Sequence, residues 1–213
     1  MIFRFTSLMF LIVLAGVERP AQAAISKSHL FTYTDKQFSG REYFSHLALA
    51  YGASWIVYPL TQPRILRGEL GSWHEYKENL GKVVFDHDEP RWNWLTHPIA
   101  GSQLYLFYRS LGHDRRNSFM MTFISSALFE FTIETYSEPA SLQDLYQTPV
   151  LGTALGCGIE VISTNLLSRD SNVVRFLGRL VNPFSLLVDQ SFVSLGPVTD
   201  FRSRFGVKLV MDF

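Results

Sequence analysis

Apolar runs separated by short polar, glycine or proline breaks divide this chain into segments of helix length. Tyr43 to Leu60 carries no formal charge and meets Pro59 and Pro63 at its end, which predicts a helix stopped by those prolines. Ser45, His46, Gly52 and Ser54 dilute its apolar character, so a buried or interfacial helix fits this stretch better than a bilayer span. Arg64 to Trp94 mixes charges, aromatics and glycines and reads as surface loops with short helical or extended pieces. A second helix is expected from Thr96, with threonine as cap and Pro98 in the first turn, to Leu111, with Gly112 as the stop. A third covers Asn117 to Thr135, opened by Asn117 or Ser118. A fourth opens at Ser141, where Ser141-Leu142-Gln143-Asp144 resembles a capping box, and runs to Leu167 with a kink expected at Pro149. Gly152 and Gly156, four apart, share one face and would let another backbone approach closely. Val173 to Leu180 predicts a further short helix ahead of Asn182 and Pro183.

The two ends have a different pattern. Arg4, the apolar run from Phe5 to Val17 and Ala21-Gln22-Ala23 have the layout of a secretory signal peptide cleaved near Ala23. At the other end Phe205, Val207, Leu209, Met211 and Phe213 alternate with mostly polar or small residues, a period of two that predicts a strand. An alternating last strand with a terminal aromatic looks like the C-terminal signal of outer-membrane barrel proteins. The chain thus divides into a signal peptide over 1–23, an extended lead-in over 24–41, a helical domain over 42–185 and a short β ending over 186–213. The expected fold class is mainly α, an antiparallel helical bundle of about four to six helices with a short C-terminal β strand or hairpin.

Composition sharpens the address. Lysine plus arginine equals aspartate plus glutamate at 19 each with no basic stripe or tail, so nucleic acid is set aside as a partner. Hydrophobic residues make up 47%, aromatics 15% and charged residues 18%, a balance that leans toward a membrane or its interface. Cys157 is the single cysteine, so an internal disulfide is excluded, and its apolar, glycine-rich setting reads as a buried small residue.

Six ionisable residues sit inside otherwise apolar segments: His97, Arg109, Glu130, Glu134, Asp144 and Glu160. Burying such groups singly is costly, which implies that they meet one another. Glu130 and Glu134 share a helix face and repel unless a cation lies between them or one is protonated. His97, Glu130 and Glu134, completed by Glu160 or Asp144, would make a ligand set for a divalent ion. The same His97, Glu130, Glu134 and Asp144 could serve as acid/base groups. The competing reading pairs the glutamates with Arg109 or His97 as a lock between helices. The run Asp86-His87-Asp88-Glu89 reads as a solvated turn, His46 as a satisfied core histidine, and His74 and His113 as loop residues with no evident partner. No nucleophile elbow, phosphate loop or dinucleotide fingerprint is present, and the sequence names no cofactor.

The succession VVFDHDEPRWNWLTHPIAGSQLY, SALFEFTIETYSEPASLQDLYQTPVLGTALG and LVNPF resembles an uncharacterised family of bacterial envelope proteins with a domain of unknown function. The family's pattern falls here on Asn93, His97, Pro98 and Gly101, on Glu130 and Glu134, on Ser141 and Asp144, on Gly152, Gly156 and Glu160, and on Asn182 and Pro183. Phe129 stands where the pattern has tryptophan, and Ile159 separates Gly158 from Glu160. A fainter likeness is to VanZ-like membrane proteins, from which the chain departs at Thr148. The resemblance implies that His97, Glu130, Glu134 and Asp144 belong to the fold's common core. The expectation is a membrane-associated structural or interaction protein of the cell envelope, in the periplasm or outer membrane, with lipid, a membrane surface or an envelope protein as partner. The alternative is an envelope hydrolase, metal- or carboxylate-dependent, acting on lipid or cell-wall material.

Overall fold

Ser39 opens the first helix, α1 (Gly40–Thr61), with a full capping box: its hydroxyl accepts from the Glu42 backbone N–H, and the Glu42 carboxylate accepts from the Ser39 backbone N–H. The computed structural model describes residues 37–85, 89–188, 193–200 and 204–211. The signal peptide over 1–23, the lead-in up to residue 36, Asp86, His87 and Asp88 of the acidic run, and Phe213 lie outside the described residues. Contrary to the sequence expectation, α1 runs through Pro59 and ends at Gln62, whose φ of −112° and ψ of 77° are those of a residue forced out of the helical region by the proline that follows. Pro63 is thus the stop and begins the next short helix, α2 (Pro63–Leu66). α3 (Trp73–Asn79) is capped by Ser72, and β1 (Val83–Val84) follows. The segment expected as loops with short pieces therefore holds two brief helices and a two-residue strand.

The second long helix starts earlier than Thr96. The chain is already helical at Pro90, widens into a π turn at Trp92–Thr96, and continues as α4 (His97–Ser110). Thr96 has helical dihedrals and makes no cap bond. The cause is Pro98, which lacks the N–H that would bond the Trp94 carbonyl. The wider turn upstream, where the His97 N–H reaches Trp92 O, absorbs that loss without breaking the helix. Pro149 is accommodated in the same way, inside the π turn Gln147–Leu151 that joins α6 (Asp144–Tyr146) to α7 (Gly152–Leu167). Between them α5 (Arg115–Leu128) is capped by Asp114, not by Asn117 or Ser118: the Asp114 carboxylate accepts from the Asn117 N–H at 2.6 Å. α5 passes into a third π turn, Phe129–Ile133, and a 3₁₀ turn, Glu134–Tyr136. β2 (Ala140–Ser141) pairs in parallel with β1, Val83 opposite Ala140 and Val84 opposite Ser141. α8 (Asn172–Val181), α9 (Ser185–Val188) and an antiparallel hairpin of β3 (Val193–Asp200) and β4 (Arg204–Met211) complete a mainly helical chain.

α4 is the centre. Every residue from Gly101 to Arg109 is buried, and α5, α7 and α9 all contact this helix. Its approach to α7 is at backbone distance, as the glycines of α7 predict. A Cβ on Gly152 would lie 2.6 Å from Gly101 Cα, and one on Gly101 would lie 1.7 Å from the Thr148 carbonyl oxygen. One turn further, a Cβ on Gly156 would strike the Tyr105 ring at 2.6 Å.

α1 buries Ala50, Ala53, Val57 and Tyr58, whereas α5, α7 and α8 turn mostly polar or small residues inward and apolar ones outward. α5 buries Ser118, Thr122, Ser125 and Ser126 with Met121, and exposes Met120, Phe123 and Ile124. α7 buries Gly152, Gly156, Glu160 and Ser163 with Leu167, and exposes Leu155, Val161 and Ile162. α8 buries Gly178 and Arg179 and exposes Val173, Phe176, Leu177 and Leu180, an apolar stripe at i, i+3, i+4 and i+7. Among the described residues one helical run, Asp144–Leu167, is long and apolar enough to cross a membrane, and 28% of its apolar window is buried.

The glycine contact makes a prediction. Gly101→Ala should abolish or sharply lower the thermal transition, because backbone lies on the other side of the added methyl. Gly158→Ala, whose Cβ would meet nothing within 4 Å, should be neutral or stabilise by about 0.5–1 kcal/mol, as Gly→Ala does inside a helix. Melts of the two variants in detergent check this, and equal midpoints would contradict the close approach.

Candidate functional site

Three helix junctions converge beside the glycine contact. His97 is the first residue of α4, Glu130 lies in the π turn after α5, and Asp144 is the first residue of α6. Each thus sits where a helix widens or begins, and π turns inside helices are frequent at functional sites. Ser141 ties two of the junctions together. Its hydroxyl accepts from the Asp144 N–H at 3.2 Å, as the capping-box pattern predicts, and its own N–H donates to Glu130 Oε2 at 3.2 Å. His97 Nε2 stands 3.4 Å from Asp144 Oδ1, and its Nδ1 stands 3.3 Å from Thr148 Oγ1. One possible ligand atom from each of His97, Glu130 and Asp144 lies within 4.8 Å of the other two.

Glu134 completes the group from one turn along. Its carboxyl is hydrogen-bonded to that of Glu130, and its Oε2 has no hydrogen-bond partner among the described residues. Burial pushes the Glu130 pKa up to about 8; the Asp144 charge adds to the rise, and the bonds from Glu134 and the Ser141 N–H oppose it. Glu134 is raised well above the ordinary carboxyl range, first by burial and then by the Glu130 charge. Two buried carboxyls this close disfavour a double negative charge, which proton binding or a cation relieves. The chemistry open to the cluster is that of a shared proton beside an imidazole, or of a cation bound in place of the proton.

Arg109 does not join the Glu130–Glu134 pair. Its guanidinium is a two-pronged donor to Glu160, Nε to Oε2 at 2.9 Å and Nη2 to Oε1 at 3.0 Å, and Nη1 also donates to the His113 carbonyl. Tyr105 donates its hydroxyl to Glu160 Oε2 at 2.9 Å, and Arg115 Nη2 approaches Oε1 at 3.3 Å. Burial alone would raise the Glu160 pKa, but the Arg109 bonds and charge, with Tyr105 and Arg115, hold it below the ordinary value. The metal set of His97, Glu130, Glu134 and Glu160 is therefore split: His97 and Glu130 lie together with Asp144, Glu134 adjoins Glu130, and Glu160 belongs to the arginine cluster. Cys157 donates to the Tyr105 hydroxyl at 3.2 Å.

His113 is buried, not a loop residue without partners. Its Nε2 is 2.8 Å from His46 Nδ1, and it stacks on Phe38 with 4.2 Å between ring centroids. No pattern in the sequence joins positions 46 and 113, because the contact forms between α1 and the distant connection from α4 to α5. Thr148 and Tyr105 also escaped sequence reading: each is one polar group in an apolar helix, with its partner more than fifty residues away.

The ion pair carries its own prediction. Glu160→Gln leaves a buried guanidinium without its counter-charge, which should cost about 3–5 kcal/mol. Because the native pKa of Glu160 lies below that of an unfolded carboxyl, near ~4.3, the pair's contribution is full above that value and is lost as pH falls through the native pKa. Unfolding curves across this acid range should therefore show a steeper loss in wild type than in Glu160→Gln; parallel curves would contradict the assignment.

No curated protein and no solved structure matches the chain. Residues 82–184 match a domain of unknown function, DUF3943, and this span takes in α4, α5, α7 and α8 with His97, Arg109, Glu130, Glu134, Asp144 and Glu160, while α1 with His46 and Tyr58 precedes it. The chain carries a DUF3943 domain over residues 82–184.

Proposed function

We propose that the protein is a membrane-associated structural or interaction protein of the bacterial cell envelope, in the periplasm or at the outer membrane, with lipid against its outer faces and its buried polar clusters fixing an antiparallel helical bundle. The observation that carries this reading is the polarity of the helices. α5 turns a serine and threonine stripe inward and Met120, Phe123 and Ile124 outward, the reverse of a helix in a water-soluble domain. The same inversion on α7 and α8, and the exposure of Phe44, Trp55 and Ile56 on α1, spreads apolar surface over four helices. A protein partner covers one patch, but acyl chains cover every side. In an apolar solvent, helices associate through small residues and interhelical hydrogen bonds, which is what the Gly101–Gly152 contact and the Tyr108–Ser125 hydroxyl pair at 2.6 Å supply. Exposed Trp73, Trp94 and Tyr146 are the amphipathic aromatics favoured where lipid meets water.

A second reading, an envelope hydrolase using a metal or a carboxylate, is favoured by the convergence of His97, Glu130 and Asp144. There Glu130 or Glu134 would act as general base or acid, and His97, steadied by Asp144 and Thr148, as its partner.

Two outcomes test these readings. The mature protein should float with phosphatidylethanolamine–phosphatidylglycerol vesicles in a density gradient, and Phe123→Glu combined with Ile162→Glu should lower the floated fraction about tenfold, since each charge in an apolar layer is costly. A wild-type protein that stays monomeric and lipid-free at the bottom of the gradient would refute the membrane reading. Glu130→Gln removes one carboxyl of the buried pair and alters the acceptor of the Ser141 N–H. In cells it should lose abundance and function together if the cluster is structural; function lost at unchanged abundance would favour the hydrolase.

A further inference from the structure

We propose that His97, Glu130 and Asp144 bind one divalent first-row transition ion of the manganese, iron or zinc class, with Glu134 as the adjoining carboxylate. The site is independent of the membrane reading and stands if that reading fails. It is built from three separate elements: the start of α4, the π turn after α5 and the start of α6. Donor atoms bound at about 2.0–2.3 Å to one ion lie roughly 3–4.5 Å from one another, so groups already within 4.8 Å need only a small contraction to close on it.

The donor set selects the ion. Calcium and magnesium favour all-oxygen shells, whereas an imidazole with carboxylates suits manganese, iron and zinc. The orientation of the donors is also supported from outside the cluster. Thr148 at the far ring nitrogen leaves Nε2 of His97 as the nitrogen facing Asp144, and the Ser141 N–H holds one oxygen of Glu130 while leaving the other unengaged by that bond. Gly101 and Gly152 hold α4 against the α6–α7 run at backbone distance, so these junctions cannot drift apart without breaking that contact.

A separate observation points to a missing cation. Glu134 is only 8% exposed, its carboxyl lies against that of Glu130, and its Oε2 lacks a hydrogen-bond partner among the described residues. A buried carboxylate oxygen with no donor is costly, and a cation held by the adjoining Glu130 would offset that cost through space. Glu160 takes no part, since both of its oxygens are engaged by Arg109, Tyr105 and Arg115.

The test uses untagged full-length protein, stripped with EDTA in mild detergent and titrated separately with MnCl₂, ZnCl₂ and CaCl₂. Manganese or zinc should bind at about one ion per chain and, at roughly a hundredfold excess over Kd, raise the melting midpoint by about 5–10 °C. X-ray absorption of the loaded protein should give one imidazole nitrogen in a shell otherwise of oxygen. His97→Gln and Asp144→Asn should each lower affinity at least about tenfold, while Glu75→Gln, on exposed α3, should bind as wild type does. Metal-free melts of the two ligand variants within a few degrees of wild type confirm that they fold; should either fail to fold, absorption spectroscopy of the wild type decides. No stoichiometric binding of manganese or zinc, binding undiminished in folded ligand variants, a preference for calcium, or a shell without imidazole would each overturn the proposal.

Discussion

The contact on which the arrangement depends is that of Gly101 with Gly152 and the Thr148 carbonyl. No side chain separates α4 from α7 there, and a single methyl on Gly101 would fall 1.7 Å from a carbonyl oxygen. Two consequences follow along the same seam. In one direction, the start of α4 lies beside the start of the α6–α7 run, which places His97 against Asp144 and Thr148. In the other, the Tyr105 ring sits where a Gly156 side chain would be, and its hydroxyl reaches Glu160, which Arg109 grips from the same helix. The carboxylate cluster and the arginine cluster are thus two ends of one packed interface.

Prolines shape the site end of that interface. Pro98 and Pro149 each remove a backbone donor within a helix, and in both places the chain widens into a π turn instead of breaking. The third π turn, which contains Glu130, has no proline; there the Thr135 hydroxyl takes up the Glu130 carbonyl at 2.9 Å. The widened turns lie at or beside His97, Glu130 and Thr148. Irregular helix and buried polar chemistry coincide, as expected where local regularity yields to the placement of particular side chains.

The same features explain what the sequence revealed and what it hid. Helix-length apolar runs and the Gly152–Gly156 spacing are local patterns, so the long helices and the close approach were legible. Helix starts at Pro90 and Asp114 were missed because Thr96 and Asn117 are equally good caps by type, and only the downstream hydrogen bonding distinguishes them. Glu130 with Glu134 could be read as a pair because they are four residues apart. The union of Arg109 with Glu160, and of His46 with His113, crosses more than fifty residues with no local mark, and charge alone offered Arg109 several partners. The outward direction of the apolar stripes was hidden as well, since periodicity gives the separation of two faces but not which of them is inside.

Around an apolar core of Leu104, Leu106, Phe107 and Phe184, α5, α7 and α8 turn mostly serine, threonine, glycine and charge inward and phenylalanine, leucine, isoleucine and valine outward, and that inversion is the main physical fact about the outer helices. Its most direct test is the solvent around the outer positions. Nitroxide labels placed at Phe123→Cys, Ile162→Cys and Phe176→Cys in a Cys157→Ser background, with the protein reconstituted in vesicles, can be challenged with oxygen, which concentrates in lipid, and with a water-soluble nickel chelate. Strong relaxation by oxygen and little by the nickel chelate at all three sites is the result this account predicts. Strong relaxation by nickel would mean that water surrounds those faces, and the account of an inside-out helical protein held against lipid would be wrong.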